Sequence, residues 1–281
     1  GGYERPVRVT FEAKVAYQEP ETKRDFLNAE EYISILRPAV AISQNPTWNF
    51  NSGWSASSGN SGSSIYSTRY YNEGDVLPAG WKTMVDDTKM LMFCDTDWQS
   101  IMFRPAFWQN YYIGIDGGGK NVRYSGSASY VDDQGIGLAT GYKKFSVKSN
   151  ADAKIGKMLT ATLNMSYQYT DQDAYANQRD AISRGLSATP TQLTYFEDGT
   201  PAQGYNNTSQ TPIYYTYYSD NTDVRQYLTL NGGLKLDILP GWTANVTGSM
   251  FNLLTDQTTF LRANMYDSSR PATSYHSTTM R

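Results

Sequence analysis

The chain has 281 residues, 39% apolar and 14% aromatic, with a formal charge of −3 from 24 basic and 27 acidic side chains. This near balance leaves no basic field for nucleic acid and no polybasic anchor for a membrane surface, and no run approaches the ~18 consecutive apolar residues of a membrane helix. Cys94 stands alone, which excludes an intrachain disulfide and a thiolate metal site.

Tyr, Thr, Gly, Asn and Ser are abundant while only 18% of residues are charged, a composition suited to strands joined by polar connections. The first clear element runs from residue 7 to 18. Val7, Val9, Phe11, Ala13, Val15 and Tyr17 alternate there with Arg8, Thr10, Glu12, Lys14, Ala16 and Gln18. One face is apolar and the other charged or polar, as a strand between two unlike environments requires.

A long connection, roughly Glu19 to Ala106, follows. Within it Leu27–Arg37 reads as a helix, with Asn28 as cap, Glu31 three positions on and Pro38 as its stop. Thr47 to Ser67, rich in Ser, Gly and Asn, reads as loop. Asp95 and Asp97 read as turn or cap residues in preference to a calcium pair.

Strands are then expected near 107–116, 121–131, 143–155, 158–170, 224–238 and 241–252, each alternating on the same rule. In the best of them Leu159, Ala161, Leu163, Met165, Tyr167 and Tyr169 oppose Thr160, Thr162, Asn164, Ser166 and Gln168. Short turns fall at Gly117-Gly118-Gly119-Lys120, Gly156-Lys157 and Leu239-Pro240-Gly241. The Gly117–Lys120 stretch lacks the spacing of a phosphate loop and joins two strands. Between the short turns come a moderate loop, Asp132 to Tyr142, and a long one, Asp171 to Asp223, whose first part to Leu186 is read as helical.

About seven strands of membrane-crossing length, with short turns at one end and long loops at the other, describe an outer-membrane barrel wall. Small residues on the apolar faces (Gly126, Ala128, Ala151, Ala161) fill a protein core poorly but sit well against fluid lipid. Aromatics near strand ends (Tyr17, Tyr130, Tyr142, Tyr169, Trp242) suit an interfacial girdle. The expected fold is therefore all-β, a transmembrane antiparallel β-barrel segment with long extracellular loops containing short helices. A structural or adhesive outer-membrane barrel and a soluble carbohydrate-binding β-sandwich remain as alternatives, because alternation also fits a sandwich.

The ordered motifs point further. Asn28-Ala29-Glu30-Glu31-Tyr32, then Asp95-Thr96-Asp97-Trp98-Gln99-Ser100-Ile101-Met102-Phe103-Arg104, resemble segments of the SusC/RagA family of TonB-linked outer-membrane transporters. Gln109-Asn110 through Gly117-Gly118, Ser129-Tyr130-Val131-Asp132-Asp133-Gln134-Gly135-Ile136 and Tyr142-Lys143-Lys144-Phe145-Ser146-Val147 continue that resemblance in order. Tyr195-Phe196-Glu197-Asp198-Gly199 and Ile238-Leu239-Pro240-Gly241-Trp242 extend it toward the end.

The resemblance implies a 22-stranded barrel around a plug, of which residues 1–281 are the first part of the barrel, with plug and C-terminal strands outside them. A signal peptide is not present ahead of Gly1 and is expected to have been removed by maturation or truncation. The resemblance also implies TonB-dependent import of an oligosaccharide or oligopeptide. The implied partners are a SusD-like surface lipoprotein, TonB (through the missing N-terminal part), outer-membrane lipid and the glycan or peptide substrate, with no nucleic acid. No catalytic residue, metal or cofactor is expected. His276, the only histidine, falls in a Ser/Thr-rich stretch read as a terminal loop. Candidate ligand contacts are loop aromatics, namely Trp54, Tyr70, Tyr71, Trp81, Tyr215 and Tyr217, whose faces with nearby Asn and Asp suit sugar or peptide capture.

Overall fold

The computed structural model describes residues 4–21, 24–43, 68–86, 88–174, 178–195, 199–202, 211–263 and 271–281. The element order is β1 (Arg5–Gln18), α1 (Ala29–Ser43), β2 (Thr68–Tyr70), β3 (Trp81–Asp86), β4 (Lys89–Cys94), α2 (Trp98–Met102), β5 (Ala106–Gly118), β6 (Val122–Gln134), β7 (Gly141–Ile155), β8 (Leu159–Ala174), α3 (Gln178–Ser187), α4 (Pro212–Tyr218), β9 (Ser219–Leu239), β10 (Trp242–Leu261) and β11 (Thr273–Met280).

Eight strands form one antiparallel sheet in the order β1-β5-β6-β7-β8-β9-β10-β11, a meander with β1 and β11 at its edges. A residue pairs with one of the same face across each ladder, so the alternation seen along single strands becomes rows across the sheet. One such row runs Phe11, Ile113, Ala128, Val147, Tyr167, Leu228. On the same face, toward the end from which the long connections leave, lies an aromatic row, Tyr111, Tyr130, Phe145, Tyr169. Beyond it the face turns polar at Asp132, Lys143 and Asp171.

The apolar band on β8 spans Leu159 to Tyr169, roughly 33 Å along the strand, and the seven strands that carry it, β1 and β5 to β10, give a width of about 29 Å. An area on the order of 950 Å² is well above the ~300–600 Å² of the largest apolar patch on an ordinary soluble monomer. Its side chains are open to the surroundings: Val9 is 63%, Leu163 57% and Val246 69% exposed. At the ~35–45° tilt of outer-membrane strands the band is about 25 Å tall, the height of the lipid-facing belt of such barrels.

Three connections are tight and lie at one end. Gly156 and Gly241 take positive φ, +69° and +85°. Leu239-Pro240-Gly241-Trp242 places Pro where φ is fixed near −65° and Gly where φ must be positive, the requirement of a type II turn. Every long connection leaves from the opposite end.

Several expectations need correction. Asn28 and Glu31 do form a reciprocal cap: Glu31 N donates to Asn28 Oδ1 at 2.9 Å and Asn28 N to Glu31 Oε2 at 3.0 Å. Pro38 does not end that helix, which continues to Ser43; proline removes one backbone donor, and the remaining ladder carries the helix past it. The long first connection holds a three-stranded sheet, β2-β4-β3, that alternation did not reveal because its strands are short. Residues 171–174 extend β8 where a helix was expected, and the helix begins only at Gln178. Tyr142 pairs with Asp133 and Gln172 on the polar face, so it is not a girdle residue. His276 is in β11 opposite Thr258, not in a loop. The stretch Thr47 to Ser67 lies outside the described residues.

The closely packed apolar interior is in the connections. Ala29 and Ile33 of α1 pack on Leu91 and Phe93 of β4, with Leu36, Tyr70 and Met84 around them. Met102 of α2 packs on Ala181 of α3, beside Phe103.

Candidate ligand wall and loop cap

Two structures meet at the end of the sheet from which the long connections leave: the polar face of the strands, and the cap formed by those connections. Residues 95–99 hold the cap together. Asp95 accepts from Ala29 N at 3.0 Å and pairs with Lys82, joining the start of α1 to β3. The same carboxylate holds the Lys82 ammonium above its ordinary pKa, chiefly through their hydrogen bond. Thr96 N donates to Pro190 O at 2.8 Å, and Thr96 Oγ1 to Gln192 O at 2.8 Å.

Asp97 caps α2 by accepting from Ser100 N at 3.0 Å. Trp98 is buried, and its indole Nε1 donates to Thr189 O at 2.9 Å. Gln99 exchanges two hydrogen bonds with the Arg24 backbone, at 2.8 and 2.6 Å. The residue types follow from these tasks: a carboxylate to cap, a hydroxyl and an amide to hold loop carbonyls, an indole to fill space and donate. Two backbone bonds, Arg104 N to Ile136 O and Leu138 N to Met102 O, then fasten the cap to the β6–β7 loop.

Beside this hub the cap carries a half-open cavity of about 530 Å³, with Phe26, Leu27, Tyr32, Trp98, Leu186 and Pro190 among its walls. Burial raises the Tyr32 phenol above its ordinary pKa.

The expected ligand aromatics are dispersed. Tyr70 and Trp81 belong to the small sheet, opposite Leu91 and Cys94 respectively. Those β4 positions are three apart, so the two rings project from opposite faces. Tyr70 turns toward α1, with the Lys89 ammonium 5.0 Å from its ring centre. Tyr71 is exposed. Tyr217 is exposed on α4, with the Arg262 guanidinium 5.1 Å from its ring centre and Arg262 Nε donating to its carbonyl at 2.7 Å. Tyr215 is on α4. Trp54 lies outside the described residues.

The polar face carries aromatics and charges outside the expected set of ligand contacts. Its outermost row contains Trp108, Asp133, Tyr142, Gln172 and Asp223. Arg225 donates from Nε to Asp223 Oδ1 at 3.0 Å and from Nη2 to Oδ2 at 2.5 Å, and Gln257 Nε2 donates to the same carboxylate at 3.0 Å. Aromatic residues on the polar side of an otherwise alternating strand were the available signal for this wall.

Among the described residues no group of three or more His, Cys, Asp or Glu side chains is placed to hold a metal.

Comparison with known proteins agrees with the motifs. No family model matches the chain. It is 30% identical over 126 residues to the TonB-dependent receptor SusC of Bacteroides thetaiotaomicron, covering 44% of this chain and 12% of that protein. It is 30% identical over 106 residues to a TonB-dependent receptor of Formosa agariphila, covering 38% of this chain and 10% of that protein. The chain thus spans about a tenth of the length of these relatives.

In fold it is similar to the RagAB peptide importer in its "closed-closed" state, with a TM-score of 0.66 at 19% identity over 96% of this chain and 30% of that one. The "open-open" state gives a TM-score of 0.68 at 17% identity over the same shares. The sheet is therefore of the RagA barrel type, and the chain is SusC/RagA-like in both sequence and fold. These relatives are receptors and transporters, not enzymes.

Proposed function

We propose that residues 1–281 are part of the wall of a TonB-dependent outer-membrane importer. In this reading the apolar face meets lipid, the polar face lines the lumen, and the cap faces the exterior. The observation that carries it is the continuous apolar band across seven strands, β1 and β5 to β10, with every long connection leaving from one end. An open edge in hydrocarbon leaves unpaired backbone groups that cost several kcal/mol each, so further strands close the barrel between β11 and β1. The likeness to SusC and to RagAB supports import of an oligosaccharide or oligopeptide, with a SusD-like lipoprotein over the loops and energy delivered through TonB.

In this reading the aromatics of the long connections, Trp54, Tyr70, Tyr71, Trp81, Tyr215 and Tyr217, contact substrate or the lipoprotein. Deleting the gene should abolish uptake of one oligosaccharide or oligopeptide class, and the complete product should be recovered with outer membranes. Recovery in the aqueous fraction would sink the barrel reading. Normal uptake after deletion would leave a structural or adhesive barrel instead. Replacement of Trp54 and Tyr70 by Ala with unchanged uptake would remove those two from the ligand contacts.

A further inference from the structure

The wall and the whole chain differ in charge. Although the chain as a whole is negative, the polar face of the eight strands carries more cations than anions. Nearly every acid on that face is matched to a neighbouring cation: Asp116 to Arg5, Glu12 to Lys14, Asp152 to Arg123, Asp223 to Arg225 and Asp237 to Lys235.

Two cations of β7 are left over. Lys144 lies between Val131 and Thr170, and Lys148 between Ser127 and Ser166. No carboxylate stands directly across from either. Asp133, one row outward from Lys144, forms no ion pair with it among the described residues. Between the two lysines on the same face is the row Ser129, Ser146, Gln168. Ser146 is nearly buried at 8% exposure. None of these three side chains makes a hydrogen bond within the described residues.

We infer that this stretch of the wall, Lys144 and Lys148 around the Ser129-Ser146-Gln168 row, receives an anionic group, a carboxylate or sulfate, of the imported substrate. Lys144 and Lys148 are about 13 Å apart along the strand. An extended lysine reaches about half that distance, so one anion over Ser146 lies within range of both ammonium groups. Two hydroxyls and an amide supply further donors, the chemistry that recognises an oxyanion. A neutral sugar or uncharged peptide would leave the two cations without a partner, so the wall discriminates by charge. This rests on the import reading above.

The test uses the complete transporter purified from outer membranes, with four probes: a polyuronate oligosaccharide, its carboxyl-reduced neutral counterpart, an acidic oligopeptide and its amidated neutral form. Binding is measured by calorimetry at low and high salt. The acidic member of one pair should bind more tightly than its neutral partner, and which pair responds identifies the source of the anion as glycan or peptide.

Lys144→Gln with Lys148→Gln should reduce that preference about tenfold and flatten its salt dependence, the scale expected for two partly exposed charge contacts. Heat-modifiable migration of the variant on a gel confirms a folded barrel. Equal binding of acidic and neutral probes, or a preference that survives the double substitution, overturns the inference. So does a double variant whose only change is easier proteolysis of the domain filling the lumen, because the lysines would then serve that contact. Failure of all four probes to bind overturns the inference too, whereas the import reading falls only if deleting the gene leaves uptake normal.

Discussion

Replacing Leu163 by Arg tests which medium covers the apolar face. Leu163 is on β8, four residues from the inner margin of the band at Leu159 and six from the outer margin at Tyr169. It is 57% exposed, with no described segment of the chain over it. Its neighbour Asn164 has its side chain on the polar face, opposite Asn150 and Asn231. If lipid covers the band, position 163 is close to the bilayer midplane. An Arg there costs about 2–4 kcal/mol, and the same Arg at a lumen position costs far less. That cost lowers the folded-to-unfolded ratio roughly 30- to 700-fold at about 1.4 kcal/mol per decade.

The assay is urea titration of the complete barrel in lipid vesicles, read by heat-modifiable gel mobility, for Leu163→Arg and Asn164→Arg in parallel. Comparable destabilisation by the two, or little effect from Leu163→Arg, would refute the assignment of faces. A depth series is a second check: Arg at Tyr169, at the polar margin, should cost no more than about 1 kcal/mol of charge penalty.

Other expectations concern the cap and turns. A Cβ at Gly185 would sit 2.7 Å from Met102 Cγ, so Gly185→Ala should overpack the α2–α3 contact by roughly 1–3 kcal/mol and speed proteolysis of the surrounding loops. Gly241→Ala meets open space but must adopt φ +85°, and should cost about 1–2 kcal/mol in urea titration. Gly232→Ala, also in open space without positive φ, is the control that should change little. Lys82 and Tyr32 both have pKa values raised in the folded cap, so each contribution is complete below the ordinary values of 10.5 and 10.0 and is lost as pH climbs through the folded values. Amide exchange in α1 should therefore accelerate above about pH 10, and Lys82→Met should remove part of that dependence.

The wall was legible because its code is local. Alternation of residues i and i+2 sets the face of each strand, and Gly241 after Pro240 announces its own turn. Where a boundary was misplaced, face assignment failed with it: Tyr142 was read as the edge of a loop although β7 begins at Gly141. The cap was legible only in its local parts, such as the Asn28–Glu31 cap. Asp95 meets Ala29 across 66 positions and Trp98 meets Thr189 across 91, and no periodicity encodes such contacts. The ligand aromatics suffered similarly, since nothing in the local sequence states that Tyr70 and Trp81 project from opposite sides of a three-stranded sheet.

The meander has a consequence for how the wall is built. Each strand from β6 to β11 pairs with its predecessor in the chain, so the sheet can extend one hairpin at a time, and three of those joins close only a short turn. The β1–β5 seam is the exception, because positions 19–105 separate its strands. Closing so long a segment costs about 3 kcal/mol more chain entropy than closing a three-residue turn. The α1–β4 packing and the bonds of Asp95 and Gln99 draw that segment's ends together, so the cap acts as a clasp that lowers the entropic barrier to zipping the first seam. Cap residues with no ligand to hold would then still set the rate at which the barrel wall assembles.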